Sequence, residues 1–281
     1  MPQDIAPTPA TPSQSLGRAV AAWADWYVRM GVLDSVEMSG IDRYRSAAPA
    51  MPAPAPGRAE AVPPARRPAA PEGEQVQHAR AVAAACATIE ELEAALEAFD
   101  GCPLKRTATR LCFADGNPRA RVLLIGEAPG AEEDARGEPF VGQAGRLLDN
   151  MLTALGLARG RNVYIANVLK CRPPNNRTPE AAEAAACRPY LERQVALLRP
   201  KLIVALGKSA ASLLLATDAT IASLRGRVHR YRGVPLVVTY HPAYLLRNLP
   251  DKAKAWEDLL LARRTVAQAT QLDPAKPPSA P

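Results

Sequence analysis

Two stretches of this chain close an apolar run on residues that can do chemistry. The first is Leu123-Leu124-Ile125, followed by Gly126-Glu127-Ala128-Pro129-Gly130 and the acidic triplet Glu132-Glu133-Asp134. The second is Leu236-Val237-Val238-Thr239, followed by Tyr240-His241-Pro242-Ala243-Tyr244-Leu245-Leu246-Arg247. A short apolar run that stops at a Gly/Pro turn reads as a buried parallel strand opening into a tight loop, which is where α/β folds place ligand pockets. Pro242 breaks the second strand and presents the His241 imidazole at its end. Carboxylates and an imidazole are the usual partners in general acid–base work. Two such loops on one sheet edge would converge on a single site.

Between them lie Pro139-Phe140-Val141-Gly142, the strand-like Val163-Tyr164-Ile165-Ala166 ending in Asn167, and the polar, proline-stiffened run Lys170-Cys171-Arg172-Pro173-Pro174-Asn175-Asn176-Arg177-Thr178-Pro179. The five cysteines, Cys86, Cys102, Cys112, Cys171 and Cys187, point to metal ligation or free thiols and not to disulfides, since no secretory signal is indicated and a cytosolic chain is expected. Gly207-Lys208-Ser209 follows a strand without the glycine-rich segment a phosphate loop needs, and reads as a plain strand-to-helix turn.

These loops need a frame. Thr88 can cap a helix with Glu91 three positions on, and Ile89, Leu92, Leu96 and Phe99 make its apolar stripe, with an end at Gly101. Strands are expected over 122–125, 163–167, 202–206 and 236–239, with helices over 145–155, 179–198 and 209–216. That alternation predicts an α/β fold, a single three-layer αβα domain with a central parallel sheet. It is expected to occupy residues 76–268.

The flanks differ in composition. Eight of the 28 prolines lie between Pro49 and Pro71 among Ala, Arg and Gly, which describes a disordered Pro/Ala-rich linker over 49–75. Residues 1–48 form an N-terminal extension in which Leu16 to Tyr27, with Trp23 and Trp26, has the spacing of one short amphipathic helix suited to packing or a protein partner. Residues 269–281 read as a disordered tail. Residues 1–75 carry 7 basic and 8 acidic residues, so the rest of the chain, with 28 basic and 20 acidic, holds the net positive charge. Such a balance suits a polyanion, although it also serves plain solubility. No apolar run is long enough to span a membrane, and a cytoplasmic location is expected.

Taken in order, the Gly126–Gly130 loop, Pro139–Gly142, Asn167, Lys170–Pro179 and His241-Pro242 resemble the family 4 uracil-DNA glycosylases, the iron-sulfur type of bacteria and archaea, from roughly Phe99 to Leu260. The resemblance implies a DNA repair enzyme that flips uracil out of DNA and hydrolyses its N-glycosidic bond. Phe140 would stack on the base, Asn167 would read its O4/N3 edge, and Gly126 and Ala128 would help bind it. His241 would donate to uracil O2 as charge builds there. In the best-known uracil glycosylases an Asp two positions after the glycine activates water; Ala128 stands there, so Glu127 or Glu133 must supply the charge, with Glu127 favoured. Leu245 and Leu246 would fill the space the base leaves, while Arg247, Arg172, Asn176 and Arg177 would hold the DNA backbone.

The resemblance also implies a 4Fe-4S cluster on four thiolates. Cys102, Cys171 and Cys187 match three of them, Phe99 stands in place of the fourth, and Cys112 is the candidate substitute, Cys86 being placed too far along its helix. The implied partner is uracil-containing DNA, met by a monomer associated with a prokaryotic nucleoid. Two other readings remain open, a related glycosylase for another deaminated base and a non-catalytic iron-sulfur nucleic-acid-binding module.

Overall fold

Valine, isoleucine and leucine dominate four five- or six-residue runs, and each becomes a strand: β2 (Val122–Gly126), β3 (Val163–Asn167), β4 (Leu202–Leu206) and β6 (Val234–Thr239). In the computed structural model, which describes residues 73–271, these four are parallel neighbours in the order β3-β2-β4-β6. Side chains alternate across the sheet. Leu123, Ile125, Tyr164, Ala166, Ile203, Ala205, Leu236 and Val238 enter one apolar cluster, and Val122, Leu124, Val163, Ile165, Leu202, Val204 and Val237 enter another on the opposite face. Both faces are covered, as a parallel sheet requires.

The sheet is mixed rather than wholly parallel. Two edge strands absent from the sequence expectation pair antiparallel: β1 (Asp115–Gly116) on β3, and β5 (Val228–Tyr231) on β6. Two residues give β1 no periodicity to read. β5 is an edge strand with exposed side chains, joined to β6 through Arg232 and Gly233, both at positive φ, the backbone a tight hairpin demands.

Helices α1 (Glu74–Ala85) and α2 (Ile89–Ala98) pack on α5 (Ala181–Leu198) over one face, joined there by α6 (Lys208–Leu215). On the other face lie α4 (Gln143–Ala154) and α9 (Asp251–Gln271). Thr88 caps α2 as expected: its hydroxyl accepts the Glu91 amide at 3.1 Å, and Glu91 in return accepts the Ala87 amide. The helix ends at Ala98 and not at Gly101. Short helices α3 (Ala131–Arg136), α7 (Ile221–Leu224) and α8 (Pro242–Leu245) complete the chain.

Helix α1 begins at Glu74, inside the stretch read as linker, and α9 runs to Gln271, past the expected limit at 268. The helix expected near Trp23, the linker up to residue 72 and the tail beyond 271 lie outside the described residues. Among the described residues no helix is long and apolar enough to cross a membrane.

Candidate active site

From β2 the chain passes to β3 on one side and returns to β4 on the other, so a crevice opens at the carboxyl ends of these strands. The catalytic candidates meet there. Gly126 and Asn167 are register partners at the ends of β2 and β3, and the amides of Val168 and Leu169 continue the pairing by donating to the carbonyls of Gly126 and Glu127 at 2.9 and 3.0 Å. The crevice is a cavity of about 500 Å³ lined by Glu127, Ala128, Glu133, Phe140, Asn167 and His241, with Asn176, Arg177 and Arg247 also on its wall.

Gly126 is there because nothing larger fits. A Cβ on it would stand 2.4 Å from Asn167 Oδ1 and 2.6 Å from Phe140 Cζ. Asn167 is 1% exposed, yet its Oδ1 has no hydrogen-bond partner. A buried amide oxygen left unpaired costs about 1–3 kcal/mol, and its position on the cavity wall marks it as a group that awaits a ligand.

Phe140 adopts φ +56°, unusual for a bulky side chain. Its ring lies 5.5 Å from the His241 ring, tilted by 32°. His241 caps α8: its Nδ1 accepts the Ala243 amide at 3.1 Å, which leaves the proton on Nε2. Burial, reinforced by the nearby Arg247 charge and opposed by Glu133, brings the imidazole down to about 4. The ring is therefore neutral at pH 7 and offers one N–H. Gly207, at φ +92°, lies under it, where a Cβ would approach His241 Cβ to 2.9 Å.

The two carboxylates differ. Burial raises the Glu127 carboxyl above the ordinary carboxylate range, while a hydrogen bond from the Ser209 hydroxyl, at the start of α6, partly offsets this. Glu133, by contrast, is committed to the backbone. Its Oε2 accepts the Gly130 amide at 3.1 Å, and its Oε1 accepts the amides of Val141 and Gly142 at 3.0 and 3.1 Å. It shapes the Phe140 loop, whereas Glu127 stands on the cavity wall.

The expected DNA contacts separate in the same way. Leu245 is fully buried, because Pro242–Leu245 coils into α8 and turns it inward. Leu246, by contrast, is half-buried. Leu249, 52% exposed and three residues on, was not foreseen. Arg247 is exposed. Arg172 donates to Asn176 Oδ1 at 2.7 Å, and Arg177 is tied to buried Glu183 through both carboxylate oxygens, at 2.5 and 2.9 Å. Asn175 and Asn176 take left-handed backbone, which asparagine tolerates.

All five cysteines are buried. Cys102 and Cys187 place their sulfurs 3.9 Å apart. Hydrogen bonding with Cys171 and Cys187 pulls the Cys102 thiol far below its usual range. Cys112 does not join them: its thiol donates to the Glu133 carbonyl at 3.0 Å. Cys86 donates within its own segment, to Val82 and Glu91 carbonyls. Phe99 packs between His78 and Tyr190, with ring centroids at 5.9 and 5.4 Å. The Tyr190 hydroxyl is buried without a partner. Among the described residues no three His, Cys, Asp or Glu side chains stand ready around a metal ion. Lys170, wholly buried, donates to the Phe113 carbonyl at 3.0 Å and to Gln194 at 2.7 Å, and burial brings its ammonium down to about 7.

Residues 113–260 match the family model described as the uracil DNA glycosylase superfamily. The chain is 41% identical over 181 residues to a type-4 uracil-DNA glycosylase of Pyrobaculum aerophilum, covering 62% of this chain and 92% of that protein. It is 45% identical over 155 residues to a type-4 uracil-DNA glycosylase of Thermotoga maritima, covering 54% of this chain and 80% of that protein. A third, from Archaeoglobus fulgidus, is 44% identical over 153 residues, or 52% of this chain and 76% of that one.

Proposed function

Since the chain belongs to the uracil DNA glycosylase superfamily, among the type-4 enzymes, we propose that it excises uracil from DNA by hydrolysing the N-glycosidic bond of a flipped nucleotide. One observation carries the assignment of roles: a neutral His241 with its proton on Nε2 and a buried Asn167 whose Oδ1 has no partner line one cavity with the Phe140 ring.

The extruded base stacks on Phe140, and the Asn167 amide pairs with its O4/N3 edge, which a cytosine edge mismatches. As the C1′–N1 bond breaks, the electron pair goes to the base, and His241 Nε2–H donates to O2 where negative charge develops. The sugar becomes cationic. Glu127, held by Ser209, faces that charge and orients a water whose oxygen bonds to C1′. The water gives up a proton to the carboxylate or solvent, the uracil anion takes one up from solvent, and the products are uracil and an abasic site. Gly126 and Ala128 keep the wall small beside the base.

Arg172, Asn176 and Arg247 are assigned to phosphates, with Leu246 filling the vacated stack. Arg177 contributes less charge because Glu183 neutralises it. The enzyme acts as a monomer on uracil-containing DNA, in the cytoplasm beside a prokaryotic nucleoid; the protein partner proposed for the N-terminal helix concerns residues outside those described.

Of the four thiolates that the family resemblance implies for a 4Fe-4S cluster, the donor set supports three. Cys102, at the start of the 103–106 turn, Cys171, in the loop after β3, and Cys187, on α5, would hold iron and tie these segments together. Held there, the three cysteines would brace the loop of Arg172 to Arg177. Phe99 fills the fourth place with packing.

The test is excision from single-stranded and duplex oligonucleotides carrying one uracil, one hypoxanthine or only cytosine, with EDTA present. Uracil release in EDTA is expected. Activity confined to hypoxanthine would replace the substrate, and no release from any of them would leave a binding protein.

A further inference from the structure

The Phe140 loop is gripped from two sides. Glu133 takes the amides that follow Phe140, as described, and Arg159, from the turn before β3, takes the carbonyls. Its Nη1 donates to the Pro139 carbonyl and its Nη2 to the Phe140 carbonyl, both at 2.7 Å. The guanidinium is itself fixed: Nη1 also meets Asp115 Oδ2 on β1 at 2.8 Å, and Nε meets Asp149 Oδ1 on α4 at 3.0 Å. Its side chain is 21% exposed. The Phe140 carbonyl is pressed against α4, where a Cβ at Gly145 would come within 1.7 Å of it.

These bonds explain how a phenylalanine stays at φ +56°, since strained backbone persists only where its surroundings over-determine it. Arg159 does not line the cavity. We propose that Arg159 is a positioning residue for base recognition, holding Phe140 in the conformation that stacks on the flipped uracil. The inference rests on the reading of Phe140 as the stacking face. Lysine could keep the charge but not the fork, because one ammonium cannot meet two carbonyls and two carboxylates in a fixed plane.

The experiment compares binding of two duplexes, one with a non-hydrolysable 2′-fluorinated deoxyuridine and one with a tetrahydrofuran abasic analogue that has no base to stack. Arg159→Lys is expected to weaken the first roughly tenfold or more and to leave the second nearly unchanged. In a Phe140→Ala background Arg159→Lys should add nothing to that difference, because it acts through the ring. Should the Lys variant fold poorly, Asp149→Asn, which loosens the guanidinium from α4 alone, should produce the same selective loss in milder form. Equal weakening of both duplexes, no change in either, or additivity with Phe140→Ala would overturn the proposal. If Phe140→Ala itself leaves the two affinities in their original ratio, the stacking reading fails, and the role of Arg159 falls with it.

Discussion

The imidazole of His241 accepts the backbone amide of Ala243 on Nδ1, at 3.1 Å, so its tautomer is decided by a residue two positions along the chain. Combined with burial that lowers the ring to about 4 from an ordinary 6.5, this fixes a neutral donor with its proton on Nε2. On the proposed reading, a neutral donor meets the negative charge that develops on the leaving base and spares the pocket a buried cation.

A pH prediction follows from this. Between about pH 4 and 6.5 the unfolded chain binds a proton at His241 that the folded chain does not. The associated stability is thus full above 6.5 and is lost as pH falls through that window. Excision should show no ionisation near 6.5, and any acid limb should reflect Glu127, whose carboxyl is raised by burial. A kcat/KM profile of the wild type against Glu127→Gln checks this. A limb centred near 6.5 that persists in the Gln variant would mean that His241 titrates as an exposed imidazole.

Asn167→Asp is expected to cut uracil excision by roughly one to two orders of magnitude and to relax discrimination against cytosine. An amide donor at the base edge becomes an acceptor, and the unpaired Oδ1 becomes part of a buried charge. The measurement is single-turnover release from matched uracil and cytosine oligonucleotides. Unchanged rates on both would remove Asn167 from the base-reading role.

The sequence announces what is local. Gly126–Gly130 and His241-Pro242 punctuate their strands, and Thr88 with Glu91 marks a helix start, because capping and chain breaking depend on a few adjacent residues. What escaped is long-range. Arg159 reads as one more basic residue in a turn until folding brings Asp115, Asp149 and two carbonyls of the Phe140 loop around it. Ser209, read as part of a plain strand-to-helix turn, gave no sign of reaching Glu127, 82 residues earlier. Of the two leucines, the sequence allowed Leu246 to be a core residue, yet the coil of α8 sends Leu245 inward and leaves Leu246 half-buried.

That difference between the leucines is measurable. Leu245→Ala should destabilise the domain by about 2–5 kcal/mol, as loss of a fully buried leucine does. Leu246→Ala should change the melting temperature little and reduce excision from duplex more than from single-stranded DNA, since only a duplex leaves a hole to fill. Thermal unfolding and the duplex to single-strand rate ratio of both variants decide the matter. Equal destabilisation would mean that Leu246 also serves the core.

The cysteines give the last prediction. The family resemblance puts Phe99 in the fourth cysteine's place and leaves Cys112 as its substitute, but the Cys112 thiol turns to the Glu133 carbonyl while Cys102, Cys171 and Cys187 share hydrogen bonds. Protein purified without oxygen should carry iron, roughly three to four atoms per chain, with a brown colour. Cys102→Ala, Cys171→Ala and Cys187→Ala should each lose it, whereas Cys112→Ala should retain it. Phe99→Cys, which adds a thiol beside Tyr190 and its unpaired hydroxyl, should slow iron loss in air. Iron analysis and the visible absorption spectrum of the five variants are the readout. If Cys112→Ala loses iron as completely as the other three alanine variants, the chain swings that thiol away from Glu133 to close a four-thiolate site, and the three-ligand assignment is wrong.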